Sequence, residues 1–238
     1  MVFKGPLQSY GTDSHFEIRH SDNYPSKSAV LGLIAAAAGI HREEEERLEK
    51  IKSLHVAIRV DQIGHIDKDY QIAAKYKANG DFDRNYVTSR YYLEDATFLV
   101  GVEGEDQVIS DVYNALSNPY FQLFLGRRSC PINYDFLVGI YDGYAINQLH
   151  QHPWKASEWY QKRFRQKSVR LDIYADMACL PEMRDKVLRR DNPVSFSQLG
   201  RRHNLRFEVH ERVDINNTFY KETVNETEHD VFGSLSEV

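Results

Sequence analysis

From about residue 62 to residue 90 the apolar periodicity that organises the rest of the first 141 residues stops. The stretch is polar, holds Gly64, Gly80 and the triplet Lys75-Tyr76-Lys77, and offers no sustained face to bury. About thirty residues without a core pattern, set between two strands, are unusual in a compact domain and mark a functional excursion. Such a segment restricts the fold, because the elements on either side must close a core without it.

Before the excursion, residues 1–5 read as the end of a strand. Pro25-Ser26 opens a helix to about Gly39, with Ser26 or Ser28 as its cap and Gly39 suited to its C-terminus. Arg42 to Lys52 is a polar helical stretch, and Leu54 to Asp61 alternates partly like a half-buried strand. After it, Ala96 to Val102 reads as a strand and Asp106 to Leu116 as a helix with Val108, Ile109, Val112 and Leu116 on one face. Pro119 ends that helix, and Asp135 to Tyr141 supplies a last strand. The order β-α-β-β-α-β predicts an α+β, ferredoxin-like domain over 1–141.

Beyond Tyr141 the pattern weakens. Residues 144–167, with Trp154, Trp159, Tyr160, Phe164 and several cations, suit an amphipathic helix, and Val169–Tyr174 and Leu205–His210 read as short strands. These predict a smaller, basic, β-rich extension over 142–212, followed by an acidic, flexible tail over 213–238. Residues 155–206 hold thirteen Lys and Arg against six Asp and Glu, whereas 207–238 hold two against eight. The net charge of −5 therefore conceals a basic region, and polyanion binding depends on such local clusters. The longest apolar stretch, residues 29–40, is too short to span a bilayer. Two cysteines, Cys130 and Cys179, fit a reducing compartment. A soluble cytoplasmic protein is expected, with no signal peptide, metal or other cofactor.

Three tracts carry candidate chemistry. Gly126-Arg127-Arg128-Ser129, between Leu125 and Cys130-Pro131, puts two permanent cations beside a flexible glycine; it suits phosphate, or is a surface turn with solvated arginines. Pro25-Ser26-Lys27-Ser28 sets a lysine and hydroxyls at a helix start, which is an anion site or an ordinary cap. Lys75-Tyr76-Lys77 joins cations to a stackable ring. Ten histidines are present, and none forms a recognisable acid–base frame. Glu43–Glu46 reads as a solvated helix face, and His150 with His152 lacks further ligands at metal spacing.

Gly5-Pro6-Leu7-Gln8-Ser9-Tyr10-Gly11, Tyr24 to Leu33, the Gly126–Pro131 tract and Tyr91 to Phe98, in this order, resemble the CasD family. These are RAMP-type (RRM-like) subunits of the type I-E CRISPR surveillance complex, Cascade. The resemblance covers roughly 1–141 and is thinner beyond, where Leu188 to Pro193 is the best match. It implies a non-catalytic subunit in antiviral defence that caps the complex and holds the crRNA 5′ handle. The excursion, about Ile66 to Arg90, would be a thumb against the neighbouring backbone RAMP subunit. The RNA-binding set it implies is Tyr10, Lys27, Ser28, Lys75, Tyr76, Lys77, Arg90, Gly126, Arg127, Arg128 and Ser129. Partners would be guide RNA, the backbone subunit and the large target-recognition subunit, with target DNA reached through the ribonucleoprotein and no membrane. Asp69-Tyr70-Gln71-Ile72 stands where members often carry Asp-Tyr-His-Thr, the thumb is shorter than is typical, and the first strand begins almost at Met1.

Two other classes compete. One is a metal-independent endoribonuclease for CRISPR repeat RNA, for which His15 and His20, near Tyr10, are the nearest raw material. The other is a structural adaptor that meets only protein through the aromatic and basic stretch over 150–167. Salt dependence separates RNA binding from an apolar contact.

Overall fold

The computed structural model describes residues 1–12, 17–180, 182, 185–197 and 200–220. His15 and the tail beyond 220 lie outside them. The fold is mixed α/β. A six-stranded antiparallel sheet runs in the order β1 (Val2–Lys4), β7 (Thr97–Glu103), β4 (His55–Gln62), β8 (Ser168–Asp176), β10 (Arg202–Asn216), β9 (Lys186–Ser195). A second sheet joins β2 (Leu7–Gln8), β6 (Phe82–Glu94), β3 (Ile18–Arg19) and β5 (His65–Tyr76).

β4 is buried on both faces because helices cover both sides of its sheet. Val56, Ile58 and Val60 meet Phe3, Phe98 and Val100 under α1 (Lys27–Ala37), α2 (Glu45–Lys52) and α3 (Asp106–Ser117). Ala57, with Leu99, Ile173, Ala175 and Val209, packs on α4 (Ala145–Gln151) through Ile146 and Leu149. The helix expected over 144–167 is two short ones, α4 and α5 (Glu158–Arg163), separated near Pro153.

Both ends of α1 follow its sequence signals. Ser26 Oγ accepts the Ala29 N–H at 3.2 Å. At the other end Gly39, at φ 65°, lets Ile40 N–H reach Ala35 O at 2.9 Å while Gly39 N–H reaches Ala36 O at 3.2 Å. That pair of bonds satisfies carbonyls the helix would otherwise leave open.

Three expectations need correction. Residues 135–141 form no strand: Val2 N–H donates to Phe136 O at 2.6 Å, but β1 is only three residues long and its ladder is the one with β7. Residues 142–212 are not a unit packed beside the first. β8 pairs with β4, Ala57 opposite Ala175 and Arg59 opposite Ile173, so this segment is the other half of one sheet. The tail begins later than 213, because Val213 to Asn216 remain paired with β8.

The excursion is a regular hairpin, not an irregular loop. β5 and β6 pair from His65–Glu94 to Tyr76–Phe82, closed by a turn in which Gly80 takes φ 88° and Lys77 N–H bonds to Asp81 O at 2.8 Å. Its register explains the missing core pattern. Ile66, Tyr70, Ile72 and Tyr76 share one exposed face with Val87 and Phe82, and the opposite face carries Asp69, Gln71, Lys75, Arg84 and Arg90. A two-stranded ribbon clear of the core has no inner side to write a burial pattern into the sequence.

Candidate nucleic-acid interface

A basic groove of about 770 Å³ runs along α1, from Ser26 past Ala36 to Ile40. Four connections supply its basic side chains: Arg19 and His20 at β3, Arg42 after α1, Arg127 and Arg128 in the loop after α3, and Arg201 with His203 at the β9–β10 turn.

The Arg127 loop closes on itself. Leu125 and Cys130 are buried anchors, Leu125 N–H bonds to Cys130 O at 2.7 Å, and Cys130 N–H bonds to Arg127 O at 2.9 Å. Between them Gly126 sits at φ 85°, and a Cβ there would lie 1.7 Å from Ser9 O. Glycine is required twice, by the left-handed backbone and by the close crossing of the Ser9 segment. The loop therefore presents Arg127, Arg128 and Ser129 at a fixed tip.

Arg127 is half-buried. Its guanidinium lies 4.6 Å over the Tyr92 ring, one terminal nitrogen donates to Arg19 O at 2.9 Å, and the other is buried without a partner. Arg90 lies beside Arg19 where β3 pairs with β6, and its Nε is likewise buried without a partner. Arg19, Arg90 and Arg127 thus gather at the hairpin root. Among the described residues, the side chains of Arg19, Arg42, Arg127, Arg128 and Arg201 form no ion pair with a carboxylate. Burial, and then the charges of Arg42 and Arg19, push the Arg201 guanidinium below its ordinary value. Burial and Arg201 together lower His203, against an opposing pull from Asp191.

The structure does not bring the whole expected set together. Tyr10 lines the groove as a buried core residue: its hydroxyl donates to Gln8 Oε1 at 2.7 Å, its ring meets Phe98 edge-on, and burial raises its pKa. Ser28 remains on the groove wall, 3.1 Å from Ser26 Oγ. Lys75 pairs with Asp83 at 3.2 Å, Tyr76 packs edge-on against Phe82, and Lys77 enters the turn. All three stand at the hairpin tip, roughly 20 Å beyond Arg90 at 3.4 Å per residue, far from the Arg127 loop.

Lys27 is the clearest correction, because the anion at the α1 N-terminus is the protein's own. Lys27 N–H donates to Asp191 Oδ2 at 2.8 Å and its ammonium pairs with Asp176 at 2.8 Å, both buried. Arg206 joins the same carboxylates, bonding Asp191 at 2.6 Å, Asp176 at 3.0 Å and Glu208 at 2.5 Å. Arg189 bridges Glu208 to Asp22 and stacks over Tyr24. Two of the thirteen cations over 155–206, Arg189 and Arg206, are therefore spent inside, fastening β9 and β10 to α1. A second internal pair, Arg59 with Asp61, ties β4 to residues 149–155 through Leu149 O, His152 O and Pro153 O.

Arg19, Arg42, Arg201 and His203 escaped sequence reasoning. Arg42 is masked by the adjacent Glu43–Glu46 run, and the others approach the groove only through tertiary folding. His20 stacks on Tyr91, His41 meets Phe121 edge-on, His150 pairs with Glu211 and His210 with Asp172. No group of three His, Cys, Asp or Glu suited to a metal occurs among the described residues, and no described helix is long and apolar enough to cross a membrane.

Residues 2–210 match the profile of the family described as CRISPR-associated protein (Cas_Cas5). The chain is similar to the CRISPR system Cascade subunit CasD of Escherichia coli (strain K12), with 30% identity over 150 residues, covering 57% of this chain and 67% of that protein. It also superposes on a chain of a CRISPR RNA-guided surveillance complex, with a TM-score of 0.76, 26% identity, and 98% and 97% of the two chains covered. A further solved Cas protein matches with a TM-score of 0.60 and 29% identity, over 92% and 95% of the two chains.

Proposed function

Since this chain belongs to the Cas5 family of CRISPR-associated proteins, we propose that it is a non-catalytic subunit of a type I-E surveillance complex and holds the 5′ handle of the guide RNA. One observation carries this reading: five guanidinium groups, those of Arg19, Arg42, Arg127, Arg128 and Arg201, line one groove, and none of them forms an ion pair among the described residues. Such uncompensated like charge costs stability in the free protein and is offset when an anionic ligand arrives.

Within the first half of the chain, the β1–β7–β4 arrangement under α1 and α3 is the part of the fold that supports a ferredoxin-like reading, with 135–141 as a degenerate fourth strand beside β1. The hairpin serves as the thumb. Its exposed apolar face, Tyr70, Ile72, Val87 and Phe82, suits the adjacent backbone subunit better than it suits phosphate. Holding the handle needs no general acid or base, and two of the groove's histidines, His20 and His41, pack against aromatic rings.

The test is Arg127→Ala with Arg128→Ala in the assembled complex, scored by guide RNA retained at physiological salt. Charge-assisted contacts contribute roughly 1–3 kcal/mol each, so retention should fall at least tenfold. Retention equal to wild type would remove the loop from the interface.

A further inference from the structure

The groove has a second cationic end, away from the Gly126–Ser129 loop, built by elements that carry no recognisable motif. Arg42 leaves the C-terminal end of α1, and Arg201 with His203 stands at the β9–β10 turn. Arg19 lies between the two ends, since its carbonyl holds Arg127 while its charge acts on Arg201. The stretch of wall between them is Ser28, Ala29 and Gly32 of α1, with Phe196 packed 3.6 Å from where a Gly32 Cβ would stand.

The two strands that flank the β9–β10 turn are anchored. Asp191 and Arg206, on the two strands of that hairpin, are both bonded within the buried network that grips Lys27. Lys52 of α2 adds a bond to Val194 O at 2.8 Å. A rigid support thus holds Arg201 against the repulsion of Arg42 and Arg19. The fold spends stability to keep three like charges together, and no carboxylate among the described residues neutralises them. Glu43 also lines the groove, but it forms no ion pair with any of the three.

We infer that Arg42 and Arg201, assisted by Arg19, form a second phosphodiester subsite for single-stranded RNA, so that the strand crosses α1 from the hairpin root to the β9–β10 turn. This rests on the RNA-holding reading above and assigns the C-terminal half of the chain a direct contact. A guanidinium pair suits a phosphodiester through bidentate hydrogen bonding. The neighbouring Phe121 and Phe196 rings line the same groove and offer surfaces on which splayed bases stack.

The experiment compares the full chain, Arg42→Ala/Arg201→Ala, and Arg42→Lys/Arg201→Lys for binding to a labelled single-stranded RNA carrying the repeat-derived 5′ end. Affinity is followed from low to physiological salt. Each neutralised phosphate on a single strand contributes about 0.7 to the logarithmic salt slope. The alanine variant should lose between 0.7 and 1.4 from that slope and bind at least tenfold more weakly. The lysine variant should keep the slope. Melting temperature provides the control, because removing repelling charges should leave the free alanine variant at or above wild type. An alanine variant that matches wild type in slope and affinity would overturn the second subsite. Wild-type chain that fails to bind the RNA at any salt would instead overturn the RNA-holding reading itself.

Discussion

Arg206→Ala should unfold this protein far more readily than its position on a β-strand suggests. Arg206 is bonded to three buried carboxylates, Asp191, Asp176 and Glu208. The network holds three cations, Lys27, Arg189 and Arg206, against four anions, Asp22, Asp176, Asp191 and Glu208. Without Arg206 four carboxylates would face two cations in a region closed to water. Breaking a buried pair by removing one partner costs about 3–5 kcal/mol. For a chain of this size that lowers the melting temperature by about 10 °C, at 2–4 °C per kcal/mol. The exposed Arg212–Asp172 pair gives the contrast, with Arg212→Ala expected within about 1 kcal/mol of wild type. Urea unfolding followed by fluorescence of buried Trp154 reads both. The difference should also depend on pH. Burial alone would raise Asp191, but Arg206, Arg189 and the Lys27 N–H outweigh it and hold that carboxyl below its ordinary value. A depressed carboxylate contributes stability that is full above its unfolded pKa, about 3.9, and is lost as pH falls through the folded value. The gap between wild type and Arg206→Ala should therefore be complete at pH 7 and shrink below about pH 4. A loss under 1 kcal/mol at pH 7 would refute the view that this network fastens β9 and β10 to α1.

Gly126→Ala should be destabilising by more than the roughly 1–2 kcal/mol of a left-handed alanine, because its Cβ would also displace Ser9 O; unchanged urea stability would show that the Ser9 crossing is soft. Replacing residues 70–88 with a short Gly-Ser linker should shift the melting temperature by under 3 °C while impairing assembly with the backbone subunit, since nearly all of that ribbon is exposed. Amides of 70–76 should exchange faster than those of Phe98 to Val100, and equal protection would make the hairpin part of the core.

Local signals in the chain were enough for much of this. The capped helix from Ser26, the glycine turn at Gly39, the strands at β4, β7, β8 and β10, and the turn at Gly126 are each written in a few adjacent residues. Short-range rules of capping, period and left-handed backbone read them directly. The excursion was legible as a departure from that pattern, but its regularity was not, because a ribbon without a buried side leaves no alternation to read. Charge was the least legible property. Lys27, Arg189 and Arg206 look in sequence like members of a basic surface, yet buried aspartates far along the chain consume them. Arg19, Arg42 and Arg201 look ordinary, yet they meet in one groove. Whether a cation is spent inside or left free for an anion depends on which carboxylates folding brings within about 4 Å. That distance is set by the register of β10 on β8 and β9 and by the seating of α1, which only the tertiary structure decides.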